Sequence, residues 1–349
     1  MEMDVAITTK QEIRAPEFTR GKVNLASARL GAAALYSTDE FFAPVERMLN
    51  DDPAVFIDDK YDDHGKWMDG WESRRKRGPG HDWAVIRLAV PGSIDGFDID
   101  TSFFTGNYPP AASIEAIFED DGDPNDESEW VEILPQTYLG PDEHHFHQVA
   151  DAAMRKRVWT HLRVHIYPDG GIARLRVYGE AHFDWSRVTA EEEVDLAYIF
   201  HGGRALAWSD AHYGFPAKLI SPGRGVNMGD GWETARRRGP GHDWAILKLG
   251  HAGTIDRVIV DTAHFKGNYP DRFDLLGAFM PDHAGSLSDD EIVASAEWTP
   301  ILKDRKLQMD HIHEYHADSI LNRGPFTHLR LNIHPDGGIS RVRVMGHKA

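Results

Sequence analysis

The chain states one pattern twice. Asp69-Gly-Trp-Glu-Ser-Arg-Arg-Lys-Arg-Gly-Pro-Gly-His-Asp-Trp83 returns as Asp230-Gly-Trp-Glu-Thr-Ala-Arg-Arg-Arg-Gly-Pro-Gly-His-Asp-Trp244. Windows 69–88 and 230–249 share 14 of 20 residues at an offset of 161. Thr160-His-Leu-Arg-Val-His-Ile-Tyr-Pro-Asp-Gly-Gly-Ile-Ala-Arg174 returns as Thr327-His-Leu-Arg-Leu-Asn-Ile-His-Pro-Asp-Gly-Gly-Ile-Ser-Arg341, at an offset of 167. A period of about 165 is too long for a solenoid unit and matches a domain. The chain therefore reads as two copies of one fold, and polar residues kept in both are the first candidates for chemistry.

Residues 1–20 read as an N-terminal tail. The first repeat spans 21–180, a polar connector covers 181–194, and the second repeat spans 195–349. The six-residue change of offset calls for loop insertions, placed in the acidic 119–129 segment and in Pro281 to Ala296. Within 349 residues each copy is large enough to bury its own core. No run of about 18 apolar residues exists, so no membrane partner is expected. The N-terminus lacks a basic-then-apolar secretion pattern. Zero cysteines exclude disulfides and thiolate chemistry, and a reducing cytoplasm is the simplest location. The net charge of −18 argues against a nucleic-acid partner. Against that acidic background the basic cluster Arg74-Arg-Lys-Arg77, repeated as Arg236-Arg-Arg238, suits a small anionic ligand.

Secondary-structure signals are mostly β. Leu162, Val164 and Ile166 alternate with His161, Arg163 and His165, and Ala173, Leu175 and Val177 alternate beyond the Pro168-Asp-Gly-Gly171 turn, which predicts a hairpin. Phe97 to Thr101 alternates likewise. Leu196 to Ala207 and the segments around Glu115 and Ala278 carry weak helical signals. Many short strands and turns predict an all-β chain of two sandwiches or jelly rolls. The repeated Trp83 and Trp244 are expected to pack inside them.

Four constellations carry candidate chemistry. In the Gly/Pro-shaped loop, Glu72 and His81 are candidate catalytic groups and Arg77 a candidate substrate ligand. Glu233, His242 and Arg238 are their counterparts. His81 and Asp82 adjoin on a strand and point to opposite faces, so the alternative is that Asp82 braces the loop while His81 packs. Arg163 with Arg174, and Arg330 with Arg341, form a candidate carboxylate clamp; the alternative is a solvated strand face. His165 becomes Asn332, so it is dispensable for any site present in both copies. Asp100 and Asp261, at strand ends, are further catalytic candidates. Asn107 and Asn268, in repeated Gly-Asn-Tyr-Pro turns, are candidate ligands for urea-like or sugar hydroxyl groups, or plain turn formers. The histidine-rich segments 143–147 and 310–316 invite a metal reading, with Phe146-His147 aligned to Tyr315-His316, but lack a regular ligand spacing.

These motifs, together with Ser37-Thr-Asp-Glu-Phe-Phe-Ala-Pro44, resemble the allantoicase family from about residue 24 to 346. The resemblance implies two jelly-roll domains similar to galactose-binding modules. It implies hydrolysis of allantoate to ureidoglycolate and urea in purine breakdown, and a homo-oligomer. Arg suits the carboxylate of allantoate, and Asp, Glu and Asn suit its ureido groups. No cofactor is required by this logic, and a divalent metal stays open. The competing class is a non-catalytic carbohydrate-binding or adhesion module, which would need aromatic platforms and amides more than a charged loop. Departures at Arg74/Ala235 and His165/Asn332 leave open whether both copies work, or whether they share one composite site.

Overall fold

The computed structural model describes residues 7–9, 15–120, 122–125, 127–280, 291 and 294–349. The chain divides into compact units at 1–182 and 183–349. Each is an antiparallel jelly-roll sandwich.

One long strand organises each unit. In the first, Asp82–Asp100 belongs to both layers. Its early half pairs with Trp159–Tyr167 on one side and Ala33–Ser37 on the other. Its late half pairs with Arg174–Ala181 and His144–Gln148. The outer strands complete the two layers: Ala111–Ile117 and Val131–Tyr138 in one, Val23–Asn24 in the other. The strand changes layer around Gly92, where a Cβ would lie 2.6 Å from the Glu180 carbonyl oxygen. Alternation sends Ala84, Ile86, Ile94 and Ile99 inward, where Leu162, Val164, Ile166, Leu175 and Val177 meet them. The second unit repeats this plan around Asp243–Asp261.

Several expectations change. The 160–167 and 173–179 segments are not a hairpin, because the long strand separates them. The segments around Glu115 and Ala278 are strands, and Leu196 to Ala207 is a 3-10 turn followed by a strand. Trp83 and Trp244 sit half-exposed on the outer sheet face, since Ala84 and Ala245 take the inward positions. The fully buried repeated tryptophans are Trp71 and Trp232.

The copies align by three main offsets. Val23–Asn24 and Val194–Asp195 correspond at 171, and Trp71–Glu72 and Trp232–Glu233 at 161. The first unit therefore has ten more residues before Trp71. The difference falls between Val55 and Asp69, because Val55 donates its N–H to Asp69 as Val226 does to Asp230. The longer segment completes the strand Val55–Ile57, which pairs with Ile7–Thr9, and forms the two-strand ribbon Tyr61–Asp62 and Gly65–Lys66. Between Ala111–Ile117 and Val131–Tyr138 the second unit is longer, and most of the expected Pro281 to Ala296 insertion lies outside the described residues. His144–Gln148 corresponds to Ile312–His316, so His145 aligns with His313, and Phe146-His147 does not align with Tyr315-His316. Both aligned imidazoles do the same work: Nδ1 bonds a strand carbonyl and Nε2 accepts a loop amide.

Candidate active site

Glu72 is held by three separately encoded motifs. Trp71 is fully buried and donates its indole N–H to the Asp39 carbonyl at 2.9 Å, which anchors the short strand. The Glu72 backbone bridges to Ala43 on one side and pairs with Gly171 on the other. Gly171 donates its N–H to the Asn107 carbonyl at 2.7 Å. The two glycines of Pro-Asp-Gly-Gly make this approach feasible. Gly170 has φ +138°, and a Cβ there would lie 2.6 Å from Pro109 N; one on Gly171 would lie 1.9 Å from the Phe104 ring. Packing of Pro-Asp-Gly-Gly on Gly-Asn-Tyr-Pro thus explains why the two motifs recur together.

The result is a side-chain pair. Asn107 donates from Nδ2 to Glu72 Oε1 at 2.7 Å. Both line a pocket of about 350 Å³ with Phe42, Phe56, Lys66, Met68, Phe103 and Thr105. Phe103 adopts φ 68°, which costs an aromatic residue about 1–2 kcal/mol. Asp142 accepts its N–H at 2.6 Å, and Phe56 stacks on its ring with centroids 5.8 Å apart. Burial among these apolar walls pushes the Glu72 carboxyl above its ordinary 4.5, and the Asn107 hydrogen bond only partly opposes the shift. A carboxyl in such surroundings holds its proton to higher pH than an exposed one, which suits it to act as a general acid.

The other candidates separate from this pair. Arg174 is buried and its donors are engaged within the protein. Its guanidinium pairs with Asp69 at 2.6 Å and donates to the Asp52, Asp69 and Ala173 carbonyls. Arg341 does the same with Asp230 at 2.8 Å. Arg163 lies on the outer face of the other layer, between Trp83 and Trp130, with both Nε and NH2 on Glu115 at 2.6 Å. The predicted clamp is not formed. Arg330 lies over Trp244 and donates to Asn332 at 3.0 Å.

His81 joins the Arg163 face. Its Nε2 is 2.9 Å from His165 Nδ1, and His165 Nε2 is 2.8 Å from Glu115. Burial, reinforced by the neighbouring His165, lowers the His81 pKa. Burial also pushes Glu115 up, but hydrogen bonds from His165 and Arg163 outweigh it and hold Glu115 below its ordinary value. His242 is likewise lowered by burial and by His334. Asp82 points the opposite way, accepting from Thr38 at 2.8 Å and from Lys76. Asp100 caps the Ser102 N–H at 2.7 Å, and Asp261 caps Ala263 at 2.8 Å while pairing with Arg224. Arg77 and Arg238 are exposed on their loops.

Comparisons with known proteins decide the family. The profile of the allantoicase repeat matches residues 23–182 and 194–349. The chain is 55% identical to a probable allantoicase of Burkholderia mallei, covering 95% of this chain and 96% of that protein. It is 56% identical to a probable allantoicase of Rhizobium meliloti, covering 96% of each. A crystal structure of Saccharomyces cerevisiae allantoicase is similar, with a TM-score of 0.77 at 35% identity and 93% of each chain covered. The chain belongs to the allantoicase family.

In this allantoicase chain the second copy keeps the pair, with Asn268 Nδ2 donating to Glu233 Oε1. Its surroundings differ, because the longer segment between Val55 and Asp69 of the first unit supplies Phe56 and Lys66 to the pocket wall. His264 replaces Phe103 at the same left-handed backbone position and bonds the Gly225 carbonyl at 2.7 Å. Sequence reasoning missed Lys66, Phe56 and Met68, since they precede the repeated block. A ten-residue length difference upstream of Trp71 was the available signal. Among the described residues no three His, Asp or Glu side chains are grouped so as to hold a metal ion.

Proposed function

We infer that the Glu72 pocket hydrolyses allantoate to ureidoglycolate and urea, a step of purine breakdown. One observation carries the reading: a carboxyl with its pKa raised by burial, one oxygen fixed by an amide, faces a pocket of small-ligand size with aromatic walls and a few polar groups. Allantoate presents two ureido groups and a carboxylate on one carbon. Protonated Glu72 gives its proton to the nitrogen of one ureido group as the carbon–nitrogen bond breaks. The lone pair of the remaining ureido nitrogen fills the vacancy, so urea leaves and an N-acyliminium remains. Water then adds to that carbon, and its proton returns to the Glu72 carboxylate. The balance is allantoate plus water to ureidoglycolate plus urea, with Glu72 regenerated. Asn107 keeps one carboxyl oxygen occupied, so proton transfer runs through the other. Acid–base help of this kind contributes about 10²–10⁴-fold.

Urea release from allantoate is the direct assay. Urea as first product, without ammonia, is expected; folded protein releasing none would refute the reading. The scheme uses no cofactor, so dialysis against a chelator should leave the rate unchanged. Loss of activity restored by a divalent ion would contradict it. The cysteine-free composition fits a cytoplasmic location. No helix among the described residues is long and apolar enough to cross a membrane. Assembly into a homo-oligomer follows from the family resemblance, and light scattering tests it.

A further inference from the structure

We propose that Lys66 binds the substrate carboxylate, and that its absence from the second copy restricts turnover to the first. This rests on the Glu72 pocket being the allantoate site. Among the described residues lining that pocket, Lys66 carries the one positive charge. The arginines that sequence nominated for the carboxylate are spent elsewhere: Arg174 on Asp69 and backbone carbonyls, Arg163 on Glu115. A monoanion entering this aromatic-walled pocket beside a carboxyl needs a countercharge, because an unpaired buried charge costs several kcal/mol.

Lys66 is placed to supply it. Its Nζ donates to the Ile57 carbonyl at 3.1 Å and lies over the Phe56 and Tyr61 rings, 4.6 and 5.0 Å from their centroids. Asp58 is more distant, at 3.9 Å, on a carboxylate that is mostly exposed. An ammonium has three donors, and the backbone carbonyl takes one. The aromatic rings favour the cation without neutralising it, so Lys66 keeps donors for a carboxylate. The group lies on the ribbon Tyr61–Asp62 and Gly65–Lys66, in the segment between Val55 and Asp69 where the first unit is ten residues longer. In the second unit the shorter segment carries Arg224, whose Nε is 2.9 Å from Asp261 Oδ2 and whose NH2 is 3.4 Å from Asp261 Oδ1. That cation is already paired.

The test compares wild type, Lys66→Met and Lys66→Arg on allantoate, with two competitive inhibitors, N-carbamoylglycine and its primary amide. They differ only in carrying a carboxylate or a carboxamide. Wild type should bind the carboxylate about 10- to 150-fold more tightly, the range of a charge-assisted hydrogen bond. Lys66→Met should lose that preference and raise KM by a similar factor with a smaller effect on kcat, while Lys66→Arg restores most of both. A Lys66→Met protein that keeps the wild-type preference and KM overturns the proposal and leaves the Glu72 reading standing. A wild type that releases no urea overturns the reading beneath it. If Lys66→Met fails to fold, Lys66→Gln and Lys66→Arg replace it: equal preference in both would also overturn the proposal.

Discussion

Glu72 has opposite effects on activity and stability. Its folded pKa is raised by burial, so ionising it costs the folded state more than the unfolded one. The corresponding stability is present below the ordinary value of 4.5 and is lost as pH rises through the raised one. Glu72→Gln removes that penalty. Melting curves at neutral pH should show a variant at least as stable as wild type, with urea release down by about 10²–10⁴-fold. The same ionisation sets the alkaline limb of the rate profile, because only the protonated carboxyl can donate. Asn107 favours the charged form by donating to it, so Asn107→Leu should move that limb to higher pH. A limb that stays put or moves down would separate Asn107 from Glu72. The repetition of both residues made the pair legible in the sequence. Their contact was not legible, since it depends on two motifs from distant segments packing through Gly170 and Gly171.

At the scale of elements, the alternating pattern identified the strands but not what covers each face. Arg174 lies opposite Leu175 and so looked solvent-facing. The 3-10 turn Val45–Leu49 and residues 50–53 cover that face, and the guanidinium ties them down through the Asp52 carbonyl. Arg174→Met should therefore destabilise the fold by about 3–5 kcal/mol by stranding Asp69. Any protein that folds should keep a wild-type KM; a raised KM at unchanged stability would return Arg174 to the substrate. The copies offer another comparison. The buried Asp98 accepts from His144 at 2.8 Å, whereas the aligned second-unit residues are Ile259 and Ile312. Burial pushes Asp98 up. For His144 burial opposes protonation, but the hydrogen bond to Asp98 outweighs it and raises the pKa. Replacing both by isoleucine should be neutral or stabilising by up to about 4 kcal/mol, while Asp98→Ile alone, which removes the acceptor of His144 Nδ1 and leaves Asp100 3.7 Å from its Nε2, should be destabilising, by at most about 3–5 kcal/mol. Denaturant titration of the single and double variants measures both.

For the whole chain, duplication told more about ancestry than about which copy works. It located the fold, the tandem arrangement and the Glu/Asn pairs. It also directed attention to residues present twice, and so away from Lys66 and Phe56, which occur in one copy because the first unit is ten residues longer there. Arg77, which repetition also marked, is exposed and is not among the residues that line the Glu72 pocket. The two units share a scaffold and differ in the cover over one carboxyl, which is a small structural change with a large consequence for a charged substrate. The direct test is urea release from allantoate by Glu72→Gln and Glu233→Gln, each checked for folding. The account predicts that Glu72→Gln loses at least 99% of turnover, the lower end of about 10²–10⁴-fold, and that Glu233→Gln keeps close to wild-type activity. Half the activity in each single variant, or loss in Glu233→Gln alone, would contradict it.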